Sequence, residues 1–68
     1  MTIGQRIRQL RTEQGMSQFT LADKLDVDMG NIRKWECGRF KPRKKNVDKL
    51  CEIFGVSRAE FMEGVDGV

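Results

Sequence analysis

Residues 17–38 read SQFTLADKLDVDMGNIRKWECG, and this stretch decides the fold. Ser17 has the short hydroxyl side chain of an N-cap, able to accept from an orphan amide in the first helical turn. Met16 before it and Leu21 after it stand at the two ends of a hydrophobic staple. Leu21, Ala22 and Leu25 share one face at helical spacing. Ala22 is small, so another helix can approach closely there. Asp26-Val27 form a turn, and Asp28 is a second N-cap. Val27 and Ile32 make a second staple, Ile32 and Trp35 face inward, and Gly38 stops the helix. Staple, cap, short helix and stop are thus written twice within residues 16–38. Two short helices around a tight turn follow.

The flanks extend the same pattern. Thr2 and Gln5 fit a capping box, and Ile3, Ile7 and Leu10 recur at helical spacing behind it, with Arg6, Arg8, Gln9 and Glu13 on other faces. Gly15 ends this first helix. Arg39-Phe40-Lys41-Pro42 is a loop, because Pro42 blocks helix before it and permits helix after it. A fourth helix is predicted over Lys44–Phe54, burying Val47, Leu50, Cys51 and Phe54 and ending at Gly55. Ser57 and Glu60 complete another capping box, which predicts a fifth helix over Ser57–Glu63 with Phe61 and Met62 apolar. The expectation is an all-α, five-helix bundle in one domain, residues 1–64, followed by a frayed tail at 65–68.

Charge is unevenly placed. The net charge of +3 hides a neutral segment over residues 1–32, a segment over 33–49 with eight basic and two acidic side chains, and an acidic segment over 50–68 with one basic and four acidic. A central basic block suits a phosphate-binding surface; a solvated charged loop is the plainer alternative. Cys37 and Cys51 do not make a metal spacing, and the chain has no histidine. No metal or cofactor is therefore expected. Nor is an enzyme: Ser17 and Ser57 are spent as caps, and neither cysteine has a base. No signal peptide or membrane-length apolar span is visible. We expect a cytoplasmic protein with free thiols and no membrane or small-molecule partner.

The segments RQLR, SQ..LA..L, KWE-x-G, the following KP, and GVS before the last helix occur here in order and at matching spacing. Together they make the chain resemble the Cro and lambda-repressor-like (Xre) helix-turn-helix family over Ile3 to Gly64. The resemblance implies a five-helix lambda-repressor-like bundle whose third helix lies in the major groove of double-stranded DNA, with many members binding operators as dimers. Three departures stand out. Asp26 replaces the common turn glycine, and Asp tolerates the left-handed conformation better than most residues. Arg43 replaces the small N-cap after proline. Gly30 lies in the first turn of the third helix, where it costs up to ~1 kcal/mol relative to Ala.

The resemblance also assigns roles. The first, second and sixth positions of the third helix point at base edges, here Met29, Gly30 and Lys34, with Asn31 and Arg33 beside them. Lys and Arg donate to guanine O6 and N7, so Lys34 and Arg33 are candidates for reading guanine. Met29 suits a thymine methyl, Asn31 suits adenine or a bond to Asp28, and Gly30 brings backbone close to the bases. Gln18 is a phosphate contact by resemblance, and Arg39, Lys41, Arg43 and Lys44 flank the other side. Phe40 is either a packing residue or a sugar contact, with packing favoured. Arg11 and Glu36 align with a structural ion pair. Trp35 and Cys51 are core residues and Cys37 is incidental. Phe61 and Met62 are the expected dimer contact. The expected function is a phage or mobile-element type repressor, a homodimer on a palindromic operator. The alternative is an antitoxin-like or coactivator-like interaction module on the same fold, which would not need the basic block beside the third helix.

Overall fold

The computed structural model describes residues 1–66. Five helices follow in order: α1 Ile3–Glu13, α2 Gln18–Leu25, α3 Met29–Glu36, α4 Lys44–Phe54 and α5 Arg58–Phe61. Among the described residues there is no strand. The caps fall where the residue types place them. Thr2 and Gln5 form a capping box on α1, the Ser17 hydroxyl accepts from the Thr20 amide, and the Asp28 carboxylate accepts from the Gly30 amide at 2.9 Å. Arg43 offers no side-chain cap to α4.

The core is one cluster: Ile7, Leu10, Leu21, Ala22, Leu25, Ile32, Trp35, Val47, Leu50, Phe54 and Phe61. Both staple residues, Met16 and Val27, pack against it. Helix α3 lies against α1 and α2, while α4 bridges α2 and α5. At the α1–α3 crossing the backbones nearly touch. A Cβ added to Gly4 would lie 1.8 Å from the Trp35 carbonyl oxygen, so only glycine fits that position.

The turn between α2 and α3 adopts the left-handed conformation expected of it, with Asp26 at φ 59° and ψ 46°. Two terminal features differ from expectation. Helix α5 is one turn, with Ser57 as its cap rather than its first residue. Its end is taken over by Arg6, which donates from Nε to the Phe61 carbonyl at 3.0 Å and from Nη2 to the Glu60 carbonyl at 2.6 Å. A long-range side chain thus satisfies carbonyls that another helical turn would have used. The start of the expected tail is docked rather than frayed. The N-terminal ammonium donates to the Gly64 carbonyl at 2.9 Å and to the Asp66 carboxylate at 2.8 Å, and the Asp66 amide donates to the Met1 carbonyl. That ammonium holds the Asp66 carboxyl below its ordinary pKa. Residues 67 and 68 of the tail lie outside the described residues.

Candidate nucleic-acid interface

The site begins in the interior. Arg11 and Glu36 form a two-pronged ion pair, Nε to Oε2 at 2.7 Å and Nη2 to Oε1 at 3.0 Å. Both side chains are nearly withdrawn from water. Arg11 also donates to the Met16 carbonyl, so it ties α1 to α3 and to the start of α2. Glu36 Oε1 accepts a second bond, from Gln18 Nε2 at 3.1 Å. Gln18 Oε1 in turn accepts from Arg33 Nε at 3.4 Å. A chain of polar contacts therefore runs from the core to the exposed face of α3, and it fixes which way the Gln18 amide points.

The other flank of α3 is a cleft of about 720 Å³ against α4. Asn31 and Lys34 of α3 form one wall, and Lys45, Asn46 and Lys49 of α4 form the other. Asp26 and Val27 close the turn end, while Phe40, Lys41 and Arg43 close the loop end. Its ionisable lining is five cations against the single carboxylate of Asp26. Lys34, Arg43, Lys45 and Lys49 have no ion-pair partner among the described residues. A concave surface lined by like charges focuses its field and concentrates anions. At the start of α4, Arg43 places no side-chain cap on the first amides, and uncapped amides also favour an anion.

The expected base-contacting residues divide between these flanks. Arg33 and Lys34 are exposed, and Asn31 is half-buried in the cleft. The Asn31 backbone amide bonds the Asp28 carbonyl. Met29 is partly buried and packs against the core, which withdraws some of its side chain from the outer face. At Gly30 an added Cβ would find nothing nearer than Asp28 Oδ1 at 3.4 Å, so packing does not demand glycine there. Among the expected phosphate contacts, Lys41 and Arg43 line the cleft, whereas Arg39 and Lys44 are exposed outside its lining. Phe40 corrects the packing expectation: it is 57% exposed, and the Lys34 ammonium lies over its ring, 5.6 Å from the centroid. The expected dimer pair also separates. Phe61 is fully buried and stacks on Phe54 at 6.4 Å, so its side chain belongs to the monomer core and cannot contact a second copy. Met62 is half-buried at an apolar hollow with Ile3, Pro42 and Val65.

Lys45, Asn46 and Lys49 were not among the candidates from sequence, although Lys45 and Lys49 stand one helical turn apart and could have been read as a basic stripe. The thiols are both free, Cys37 exposed and Cys51 half-buried. Burial pushes the Cys51 thiol above its ordinary pKa, the behaviour of an inert packing residue.

The chain is similar to known proteins along most of its length. A family model for the helix-turn-helix domain matches residues 4–67. The SPbeta prophage-derived HTH-type transcriptional regulator YonR of Bacillus subtilis (strain 168) is 36% identical over 61 residues, 90% of this chain and 56% of that protein. The chain therefore spans little more than half of that relative. Among solved structures, the restriction-modification controller protein C.AhdI from Aeromonas hydrophila is 34% identical, with a TM-score of 0.81 over 87% of this chain and 89% of that one. The DNA-binding domain of the P22 c2 repressor is 25% identical, with a TM-score of 0.86 over 94% and 84% of the two chains. From its repeated cap-and-staple pattern, its five-helix packing and these matches, the chain belongs to the helix-turn-helix domain family and has the lambda-repressor-like fold.

Proposed function

We propose that this protein is a sequence-specific DNA-binding transcriptional regulator that lays α3 in the major groove and represses by occluding a promoter. The observation that carries this reading is the cleft in which Asn31 and Lys34 of α3 share a basic wall with Lys45 and Lys49 of α4. Base edges and backbone phosphates lie side by side along a groove, and this surface presents groups for both. Lys34 and Arg33 donate to guanine O6 and N7, and Asn31 pairs with adenine. Gln18, Arg39, Lys41, Arg43, Lys44, Lys45 and Lys49 hold phosphates on the two sides. The relatives named above, a transcriptional regulator, a controller protein and a repressor's DNA-binding domain, support the same reading.

The active form in this reading is a homodimer with Met62 at its contact. Two copies of α3 then enter successive major grooves about 34 Å apart. Selection of bound duplexes from a random pool at two salt concentrations tests the proposal. A palindromic consensus, with affinity falling steeply as salt rises, is expected. Binding without sequence preference would refute specific regulation, and a single unpaired half-site would refute the dimer.

A further inference from the structure

We propose that Phe40 is a positioning residue for base recognition, holding the Lys34 ammonium ready for guanine without neutralising it; this rests on the DNA-binding reading above. Three observations converge. Phe40 is a large apolar side chain left 57% exposed in the loop after α3, where core packing does not account for it. Its ring lies under the Lys34 ammonium at 5.6 Å, within the range of a cation–π contact. The backbone fastens the same two residues together: the Arg39 and Phe40 amides both donate to the Lys34 carbonyl, at 2.9 and 3.2 Å. Gly38, at φ 82°, turns the chain back to make this possible.

The choice of an aromatic partner matters chemically. A free lysine must surrender rotamer freedom when it binds a base, which lowers affinity and blurs specificity. A carboxylate partner would order the ammonium but cancel its charge, and the pair would have to break on binding. An aromatic face orders the ammonium through its quadrupole and leaves its N–H donors free for O6 and N7. No carboxylate pairs with Lys34 among the described residues. Phe40 therefore acts on DNA through Lys34, not by touching a base.

Binding profiles over all single-base variants of the selected site, measured for Phe40→Ala, Phe40→Leu, Phe40→Trp, Lys34→Ala and the Lys34→Ala/Phe40→Ala double variant, test this. Phe40→Ala and Phe40→Leu are expected to reduce preference at the base pair read by Lys34 about two- to five-fold, the equivalent of ~0.5–1 kcal/mol for an exposed cation–π contact. Other positions, the salt dependence and the melting temperature stay unchanged. Phe40→Trp retains the preference, and Phe40→Ala adds nothing at that position once Lys34 is Ala. Full preference in Phe40→Leu, or a uniform loss at all positions in Phe40→Ala, overturns the proposal. If Lys34→Ala changes the profile while Phe40→Ala does not, the positioning role fails and the DNA reading stands. A Lys34→Ala profile identical to that of the wild type overturns the proposal as well, because Lys34 then reads no base, whereas only flat profiles for the wild type itself overturn the DNA reading.

Discussion

Asp26 holds the α2–α3 turn in a conformation that L side chains avoid, and its carboxylate is the one negative group lining the basic cleft. Both facts point the same way. Asp26→Gly is expected to stabilise the fold by about 0.5–1 kcal/mol, relief of the left-handed strain being partly offset by glycine's entropy. The same substitution should tighten DNA binding by removing repulsion for phosphate. Thermal melting and duplex titration check the two effects separately. Glu36 is the opposite case, a carboxylate the fold depends on. It receives Arg11 and Gln18 together, so Glu36→Gln leaves a buried guanidinium without its counter-charge. A loss of about 3–5 kcal/mol is expected. The double change Arg11→Met with Glu36→Leu should recover much of it, because it leaves no orphaned charge. Denaturant titration distinguishes these outcomes, and equal instability of the single and double variants would contradict the argument.

Between elements, the tightest constraint is the α1–α3 crossing. Gly4→Ala drives a methyl into the Trp35 carbonyl and forces two helices apart, at an expected cost of about 1–3 kcal/mol or more. Its melting temperature should fall on the order of 10 °C. Helix α5 is held differently, by the Ser57–Glu60 capping box and by Arg6. Hydrogen bonds from the Ser57 amide and hydroxyl are the main causes that lower the Glu60 pKa below its ordinary value. A depressed carboxyl pKa contributes stability that is complete above the ordinary value and is lost as pH falls through the folded value. Glu60→Gln should therefore lose less stability than the wild type on acidification through the carboxylate range. Paired pH-melting curves test this, and parallel curves would contradict it.

These elements show what sequence can and cannot display. The caps at Thr2, Ser17, Asp28 and Ser57 are local chemistry, with donor and acceptor within three residues, so they were legible. So was the bounded periodicity of α4. The need for glycine at position 4 is invisible in the sequence, because its reason is a carbonyl thirty-one residues away. The early end of α5 is likewise hidden from sequence, because Arg6, distant in the chain, takes its terminal carbonyls. At the candidate site, the basic character of residues 33–49 was plain, but its division into a cleft wall and outlying cations depends on how α4 packs. Sequence puts Phe61 at a dimer surface and the fold puts it in the core, because apolar spacing alone does not tell a core face from an interface. Sequence leaves Phe40 open between packing and exposure for a related reason: its partner Lys34 is reached only through the fold of the loop.

Taken as a whole molecule, the chain divides its charge by function. The acidic segment from residue 50 onward offsets part of the basic excess at 33–49, leaving the chain at +3, while the cleft beside α3 keeps its cations. The central claim is that this one surface separates two tasks, with Lys34 reading a base and Lys45 and Lys49 holding phosphates. The most direct measurement is the affinity of wild type, Lys34→Ala and Lys45→Gln/Lys49→Gln for the selected site and its single-base variants across a salt series. Lys34→Ala should flatten preference at one base pair and its symmetry mate. The α4 double variant should weaken every sequence alike and reduce the salt slope by about 0.9 for each lost phosphate contact. If the two variants show the same profile and the same slope, α3 and α4 do not divide recognition in this way and the account is wrong.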